Sequence, residues 1–169
     1  AAVEGGAAWI HVDMFDGVGV PSPDALTMGP KVVSCVRPFC GDAKIDVHLI
    51  TTDPIRYLPS LAAHGADHVT VQWESLGGDA DERNRQFASF SAEAGRVGVR
   101  PGVCVAVGTR VEEIENILDK GSTTLVNVLA VDMGFGGQPF QNDILPKLAW
   151  LKNKGVEYVQ VDGGINAES

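Results

Sequence analysis

The segment Trp9–Gly17 reads WIHVDMFDG and places one histidine and two aspartates within an otherwise apolar run. Successive side chains of an extended chain alternate between two faces, so His11 and Asp13 project from one face while the apolar residues around them project from the other. One side of this segment therefore presents a base and an acid together. We predict a β-strand that carries polar chemistry near its carboxyl end.

The composition of the chain is that of one globular domain. Of its 169 residues, 44% are hydrophobic and 21% are charged, which is enough apolar content for a sizeable core. No apolar run approaches the roughly eighteen residues that a membrane helix needs. The net charge of -9 disfavours binding to nucleic acid or to an anionic membrane, but small anions can still bind in a local pocket. We therefore expect neither nucleic acid nor membrane as a partner.

Short apolar runs rich in Val and Ile alternate along the chain with segments of helical periodicity. The predicted strands are Trp9–Val12, Ile45–Ile50, His68–Trp73, Val103–Ala106, Leu125–Val131 and Tyr158–Val161. The predicted helices are Gly29–Val36, Ile55–His64, Asp81–Ala94, Val111–Asp119 and Asp143–Lys154. Repeated βα units form a parallel sheet, which leaves two alternatives, a doubly wound open sheet and a (β/α)8 barrel.

The positions of four polar residues favour the barrel. His11 and Asp13, His48, and Asp162 fall at or near the carboxyl ends of three different predicted strands. A barrel builds one site from the ends of several strands, whereas an open sheet concentrates its site at a single switch point. The fold class that we predict is α/β, a (β/α)8 TIM barrel.

The same four residues form a candidate metal site. Neutral imidazole and carboxylate are ligands that suit Zn, Fe, Mn or Co. Each His–Asp pair alone is weak evidence, because a lone strand histidine is more often a hydrogen-bonded core residue. Asp162, at the end of a third strand, strengthens the metal interpretation, because two buried carboxylates that converge without a cation would be costly.

Two glycine-rich segments follow predicted strands. Asp132–Phe140 reads DMGFGGQPF, and VDGG ends in Gly163 and Gly164. Glycines let backbone N–H groups approach an anion closely, and a following helix adds a favourable dipole. The first segment alone is equally compatible with a tight turn. Two adjacent loops of this kind favour a phosphate site.

Several other polar residues receive structural interpretations. Asp46 is interpreted as a polar residue at a strand start, and Asp16 as a turn or cap next to a glycine. His64 and His68 flank a helix-to-strand turn and are assigned to capping or surface roles. Lys147 is expected on the exposed side of its helix.

Six motifs taken together resemble a known family. They are HVDMFDG, VPSPDALTMGPKVV, DVHL, GFGGQPF, ILPKLAWL and VDGGIN, and they occur in order along nearly the whole chain. The chain resembles the ribulose-phosphate 3-epimerases, which interconvert D-ribulose 5-phosphate and D-xylulose 5-phosphate in the pentose phosphate pathway and the Calvin cycle. The resemblance implies a TIM barrel with one divalent metal ion, commonly zinc, iron or manganese.

The resemblance also implies roles for individual residues. Asp13 and Asp162 are the acid–base pair that moves a proton through a metal-stabilised enediolate, and His48 also contacts the sugar. The implied metal ligands are His11, Asp13, His48 and Asp162. The implied phosphate-binding residues are Gly134, Phe135, Gly136, Gly137, Gly163 and Gly164.

The chain departs from the usual family pattern around this site. Phe15, Ile50 and Leu129 stand where methionines are usual, Met133 stands where proline is common, and Gln72 occupies a position often held by histidine. Two alternatives stay open: an epimerase of a related ketose phosphate such as allulose 6-phosphate, and a catalytically silent paralogue that binds sugar phosphate.

Only about six βα units can be counted, whereas a TIM barrel usually has about 200 residues or more. We interpret residues 1–169 as a single-domain fragment, truncated at both ends, that lacks the first strand and the C-terminal βα units. Such a fragment alone would be poorly stable and nearly inactive. The resemblance further implies a homo-oligomer in the cytoplasm or plastid stroma, with a small sugar phosphate as its partner.

Overall fold

Six parallel strands form one sheet in the order β1 to β6, so that each strand pairs with the next one along the chain. The computed structural model describes residues 1–20 and 26–169, and part of the motif VPSPDALTMGPKVV lies outside them. The strands are β1 Trp9–Phe15, β2 Lys44–Ile50, β3 His68–Gln72, β4 Arg100–Val105, β5 Leu125–Leu129 and β6 Tyr158–Asp162. Each predicted strand is confirmed, although several ends differ.

Helices connect the strands on the outside of the sheet. They are α1 Lys31–Val36, α2 Leu58–His64, α3 Ala80–Val97, α4 Glu115–Asp119 and α5 Leu145–Asn153. The predicted end of α3 at Ala94 is wrong, because the helix continues to Val97 and its left-handed C-cap is Gly98, with φ +85°. Within the described residues, none of the helices is long and apolar enough to cross a membrane.

The sheet curls until its two outermost strands face each other. Gln160 on β6 lies 2.7 Å from the ring of His11 on β1, and the rings of Trp9 and Tyr158 are 5.3 Å apart. These contacts join strands at opposite ends of the strand order. The fold is therefore a half-barrel of six βα units, a truncated (β/α)8 barrel as predicted rather than a flat doubly wound sheet.

The two faces of the curled sheet have different chemistry. Apolar residues on the outer face pack against the helices, where Phe87 and Phe90 of α3 are fully buried. Burial of one such side chain contributes about 1.5–3 kcal/mol. The inner face contains buried polar residues instead: Asp46, His48, Thr70, Gln72 and Asn127. The outer layer thus stabilises the barrel and leaves its interior for polar chemistry.

The surface role assigned to His68 is wrong. His68 is the first residue of β3, is 3% exposed, and lies with its ring centroid 4.5 Å from that of Trp9. It points into the barrel because it shares the inner face of β3 with Thr70 and Gln72. His64 is the last residue of α2 and is partly exposed.

The exposed position expected for Lys147 is also wrong. This residue is 8% exposed on α5, and its Nζ donates hydrogen bonds to the carbonyl oxygens of Ala106 and Val107, both at 2.6 Å. Burial lowers the pKa of Lys147, although nearby carboxylates oppose this shift. The two carbonyl groups satisfy the buried ammonium group and explain how the helix tolerates it.

Candidate active site

The four residues proposed as metal ligands lie together at one end of the half-barrel. Each of them offers one ligand atom, and these atoms all lie within 4.8 Å of one another. The Nδ1 of His48 is 3.0 Å from Oδ1 of Asp13, and Nε2 of His11 is 3.4 Å from the same oxygen. Oδ2 of Asp162 lies 3.7 Å from Nε2 of His11. The cluster is therefore compact enough to hold a single cation.

Strand register and sheet curvature build this cluster. Asp13 pairs directly with His48 in the β1–β2 register, and both side chains point inward. His11 lies two residues before Asp13 on the same face. Asp162 ends β6 and pairs with Leu129 of β5, so only the curl of the sheet brings it to the β1 side chains.

The donor set fits a divalent cation. Nε2 of His11 is buried and has no hydrogen-bond partner among the described residues, yet it faces the carboxylates of Asp13 and Asp162. An imidazole next to two carboxylates is a typical ligand set for Zn, Fe, Mn or Co. The cluster can thus bind a metal ion through two nitrogens and two oxygens.

Asp46 has a larger role than its position at a strand start suggested. Its carboxylate is 1% exposed, accepts a hydrogen bond from Nδ1 of His11 at 2.9 Å, and accepts another from Oγ1 of Thr70 at 2.7 Å. Metal-binding histidines usually donate their second ring N–H to such a carboxylate. The sequence does contain a signal for this role, because the spacing of Asp46 and His48 places both side chains on one face of β2.

Charges within the cluster shift the protonation of its members. Burial alone would lower the pKa of His11, but its contacts with Asp13 and Asp46 outweigh burial and raise the pKa to about 10. Burial opposes ionisation of Asp13, yet His11 and His48 lower its pKa well below the usual value. Each group is thus held in its charged form by oppositely charged neighbours.

A cavity of about 130 Å³ connects the cluster with the first glycine loop. Asp13, His48 and Asp162 form one side of it. Residues from both glycine loops also line it: Gly134, Phe135, Gly136 and Gly163. Carboxylates and glycine loops therefore face one common space, as a site for a phosphorylated substrate requires.

The two glycine loops pack directly against each other. Gly164 has φ +67°, and a Cβ added to it would collide with the backbone of Phe140. Gly163 has φ +102°, and a Cβ there would collide with the side chain of Val131. Gly164 and the exposed Gly137 do not line the cavity, unlike the other four residues assigned to phosphate binding. Glycine is required where the loops touch.

Gln138 maintains the shape of the first glycine loop. Its Nε2 donates hydrogen bonds to the carbonyl oxygens of Asp132 and Phe135, both at 2.7 Å. A glutamine that follows glycines carries no specific signal, so sequence-based prediction missed this residue. Both contacts use carbonyl oxygens of the loop rather than its N–H groups.

Four departures from the usual family pattern lie on the cavity wall. Phe15, Ile50, Leu129 and Met133 all line it. The cavity therefore keeps apolar walls beside the carboxylates. Three of these side chains lack the flexible thioether of methionine, so the cavity has a different shape and polarisability.

Comparison with known proteins assigns the chain to one family. The model of the Ribulose-phosphate 3 epimerase family matches residues 1–169. The chain belongs to this family. It is 36% identical to the ribulose-phosphate 3-epimerase of Bacillus subtilis, over 98% of this chain and 73% of that protein. Family membership thus covers every strand that contributes to the site.

Plant members of the Ribulose-phosphate 3 epimerase family are similarly related. The chain is 37% identical to the chloroplastic ribulose-5-phosphate-3-epimerase of Arabidopsis thaliana, over 95% of this chain and 54% of that protein. It is 35% identical to the cytoplasmic isoform of Oryza sativa, over 95% of this chain and 66% of that protein. The chain thus spans between 54% and 73% of the length of these three relatives.

A solved structure supports the fold of this epimerase-family chain. A chain from the tryptophan synthase a2b2 complex of Pyrococcus furiosus superposes with a TM-score of 0.51 and 16% sequence identity, covering 96% of this chain and 78% of that one. At this level of identity, the likeness bears on the fold alone.

Proposed function

We propose that this family member catalyses the 3-epimerisation of D-ribulose 5-phosphate to D-xylulose 5-phosphate. The observation that carries the proposal is the meeting of Asp13 and Asp162, whose ligand oxygens lie within 4.8 Å of each other and which face one cavity. The names of the family and of its relatives support the reaction type. The intact set of two histidines and two aspartates argues against a silent paralogue.

The reaction explains why two carboxylates are needed. Epimerisation at C3 removes a proton α to the C2 carbonyl, leaves an enediolate, and returns a proton to the opposite face. One aspartate must be ionised to accept the first proton, and the other must be protonated to donate the second. Asp13 on β1 and Asp162 on β6 project from opposite ends of the curled sheet, so they can approach the substrate from two sides.

The proposed cofactor is one divalent ion, Zn, Fe, Mn or Co, held by His11, Asp13, His48 and Asp162. When bound, such an ion supplies Lewis-acid stabilisation of the negative charge that develops on substrate oxygens. His48 also contacts the sugar in this proposal. Asp46 holds Nδ1 of His11, and apolar side chains line the cavity beside the carboxylates.

The glycine loops are the proposed phosphate site. Gly134, Phe135, Gly136 and Gly163 line the cavity, and Gly137 and Gly164 shape the loops. Binding energy from a phosphate held there fixes the sugar between the two aspartates.

The cellular setting is part of the same proposal. We place the reaction in the pentose phosphate pathway or the Calvin cycle, in the cytoplasm or the plastid stroma, with the protein as a homo-oligomer. The chloroplastic and cytoplasmic relatives support both compartments.

A solvent-exchange experiment tests the proposal. The full-length protein is incubated with ribulose 5-phosphate and a divalent metal in deuterated water, and deuterium at C3 is followed by NMR. We expect exchange at C3 together with formation of xylulose 5-phosphate. Saturable binding without exchange would instead indicate a sugar-phosphate-binding paralogue, and faster turnover of allulose 6-phosphate would indicate the related-ketose alternative.

A further inference from the structure

The outer nitrogen of His48 begins a chain of hydrogen bonds that leads away from the cluster. His48 and Gln72 are both fully buried, and Nε2 of His48 lies 2.7 Å from Oε1 of Gln72. The side-chain amide of Gln72 donates to the Oε2 atom of Glu74. The Oε1 atom of Glu74 accepts from the backbone N–H of Ala106 at 2.9 Å. We call Gln72 and Glu74 the positioning arm.

The far end of this chain sets the direction of every hydrogen bond in it. The backbone N–H of Ala106 can only donate, and an ionised Glu74 can only accept. Gln72 must therefore turn its NH₂ group toward Glu74 and its carbonyl oxygen toward His48. That oxygen accepts, so Nε2 of His48 carries a hydrogen, and Nδ1 is the nitrogen that faces Asp13.

The positioning arm is anchored by a buried helix residue. Lys147 of α5 donates to the carbonyl oxygens of Ala106 and Val107, which holds the backbone directly after the terminal N–H. At the other end, His48 lies within β2 and is fully buried. With both ends held, the direction of the hydrogen bonds is determined by the chemistry of residues 72 and 74.

We propose that Gln72 and Glu74 are positioning residues that keep a hydrogen on Nε2 of His48 and so present Nδ1 to the metal site. This inference rests on the proposed metal centre. It extends that proposal by assigning a role to two residues outside the ligand set. Groups that form a hydrogen bond with the second ring nitrogen orient metal-binding histidines in this way.

The substitution Glu74→Gln reverses the direction of the arm with almost no change of shape. The new amide at position 74 must point its oxygen at the N–H of Ala106, so its NH₂ group faces residue 72. Gln72 then turns its own oxygen toward position 74 and its NH₂ group toward His48. Nε2 of His48 becomes an acceptor, so the one hydrogen of the neutral ring is fixed on Nδ1, the nitrogen that must be free to bind a metal.

Exchange of the two side chains restores the original direction. In the double variant Q72E/E74Q, the amide at position 74 accepts from Ala106 and donates to the carboxylate at position 72. That carboxylate in turn accepts from Nε2 of His48. The double variant has the charge and atoms of the wild type, and a merely structural role for either residue gives no reason for rescue. The matched control for loss of one carboxylate is Glu112→Gln, since Glu112 is exposed and has no contact with His48.

The experiment measures the His48 Nε2–H signal by ¹H–¹⁵N NMR and the affinity for Zn²⁺ alone, both in the full-length protein. We expect E74Q to lose the Nε2–H signal and to bind Zn²⁺ about 10- to 100-fold more weakly. Q72E/E74Q should recover both properties, and E112Q should match the wild type.

Persistence of the Nε2–H signal in E74Q, or failure of the folded double variant to regain it, would overturn the inference. The NMR signal can be read without metal or substrate, so failure of this inference can be distinguished from failure of the proposed function. If E74Q does not fold, as judged by circular dichroism, the double variant still tests the inference. Loss of the Nε2–H signal from the folded double variant would overturn it.

Discussion

The Oδ2 atom of Asp46 lies 2.9 Å from Nδ1 of His11, on the side of the ring opposite the carboxylate cluster. The ring is thus held between Asp46 at its back and Asp13 at its front. Nε2 of His11 is free of other hydrogen bonds among the described residues, so its direction is set at Nδ1, which contacts Asp46 and, at 2.7 Å, Nε2 of Gln160. Residues outside the ligand set therefore determine where one ligand points.

Replacement of Asp46 should weaken the metal site. In Asp46→Ala, His11 loses its carboxylate partner at Nδ1 and Thr70 loses its acceptor, so we expect Zn²⁺ affinity to fall about 10- to 100-fold. Isothermal titration with a competing chelator measures this change. Asp42→Asn is the control, because Asp42 is exposed in the loop before β2. Equal affinities of the Asp46 variant and the wild type would contradict the assigned role.

Replacement of either proposed acid–base residue should abolish inversion. Asp13→Asn and Asp162→Asn each remove one of the two carboxylates, and we expect the rate of xylulose 5-phosphate formation to fall about 10²- to 10⁴-fold. A coupled assay of product formation measures the rate. Asp53→Asn removes an exposed carboxylate that follows β2, and it should retain the wild-type rate. Substantial inversion in either site variant would exclude the two-aspartate mechanism.

Because the glycine loops are in close contact, we expect a substitution at Gly164 to destabilise the fold. In Gly164→Ala, the new Cβ meets the backbone of Phe140, and the residue must keep φ +67°. We expect a loss of about 1–3 kcal/mol in the free energy of unfolding, together with a higher KM for the sugar phosphate. Urea denaturation and steady-state kinetics measure the two effects. Gly77→Ala is the control, since open space surrounds Gly77.

Most of the fold and the main cluster follow from local patterns in the sequence. The period-two alternation in WIHVDMFDG places His11 and Asp13 on the inner face of β1, where the structure has them. The same rule applies to Asp46 and His48 on β2, but the partner of Asp46 depends on the register with β1. Register is set by long-range packing, so the sequence alone did not reveal this pair.

The remaining errors have the same physical origin. His68 and Lys147 are polar residues beside polar segments, which is the usual pattern of a surface position. Their burial depends on groups far away in sequence, the ring of Trp9 and the carbonyl oxygens of Ala106 and Val107. Local periodicity cannot reveal partners that only the folded chain brings together.

An ion-pair cluster at the opposite end of the strands makes stability depend on pH. Burial would raise the pKa of Asp67, but the N–H of Ile45 at 2.9 Å, Lys44 at 3.1 Å and Arg37 at 2.9 Å together lower it below the ordinary 3.8. A carboxyl group with a depressed pKa in the folded state stabilises the fold above its unfolded pKa. That stabilisation is lost as the pH falls through the folded value.

Asp67→Asn should therefore be less stable than the wild type at pH 7, because Arg37 and Lys44 lose a charged partner. The difference should be constant down to about the unfolded pKa of roughly 4 and should shrink below it, since the wild-type carboxyl group then becomes protonated as well. Urea denaturation at a series of pH values measures the difference. The matched variant Asp119→Asn removes an exposed carboxylate that pairs with Lys154 at 3.4 Å, and it should show little change at any pH. A stability difference for Asp67→Asn that stayed the same at pH 3 as at pH 7 would show that shape rather than charge explains the role of Asp67.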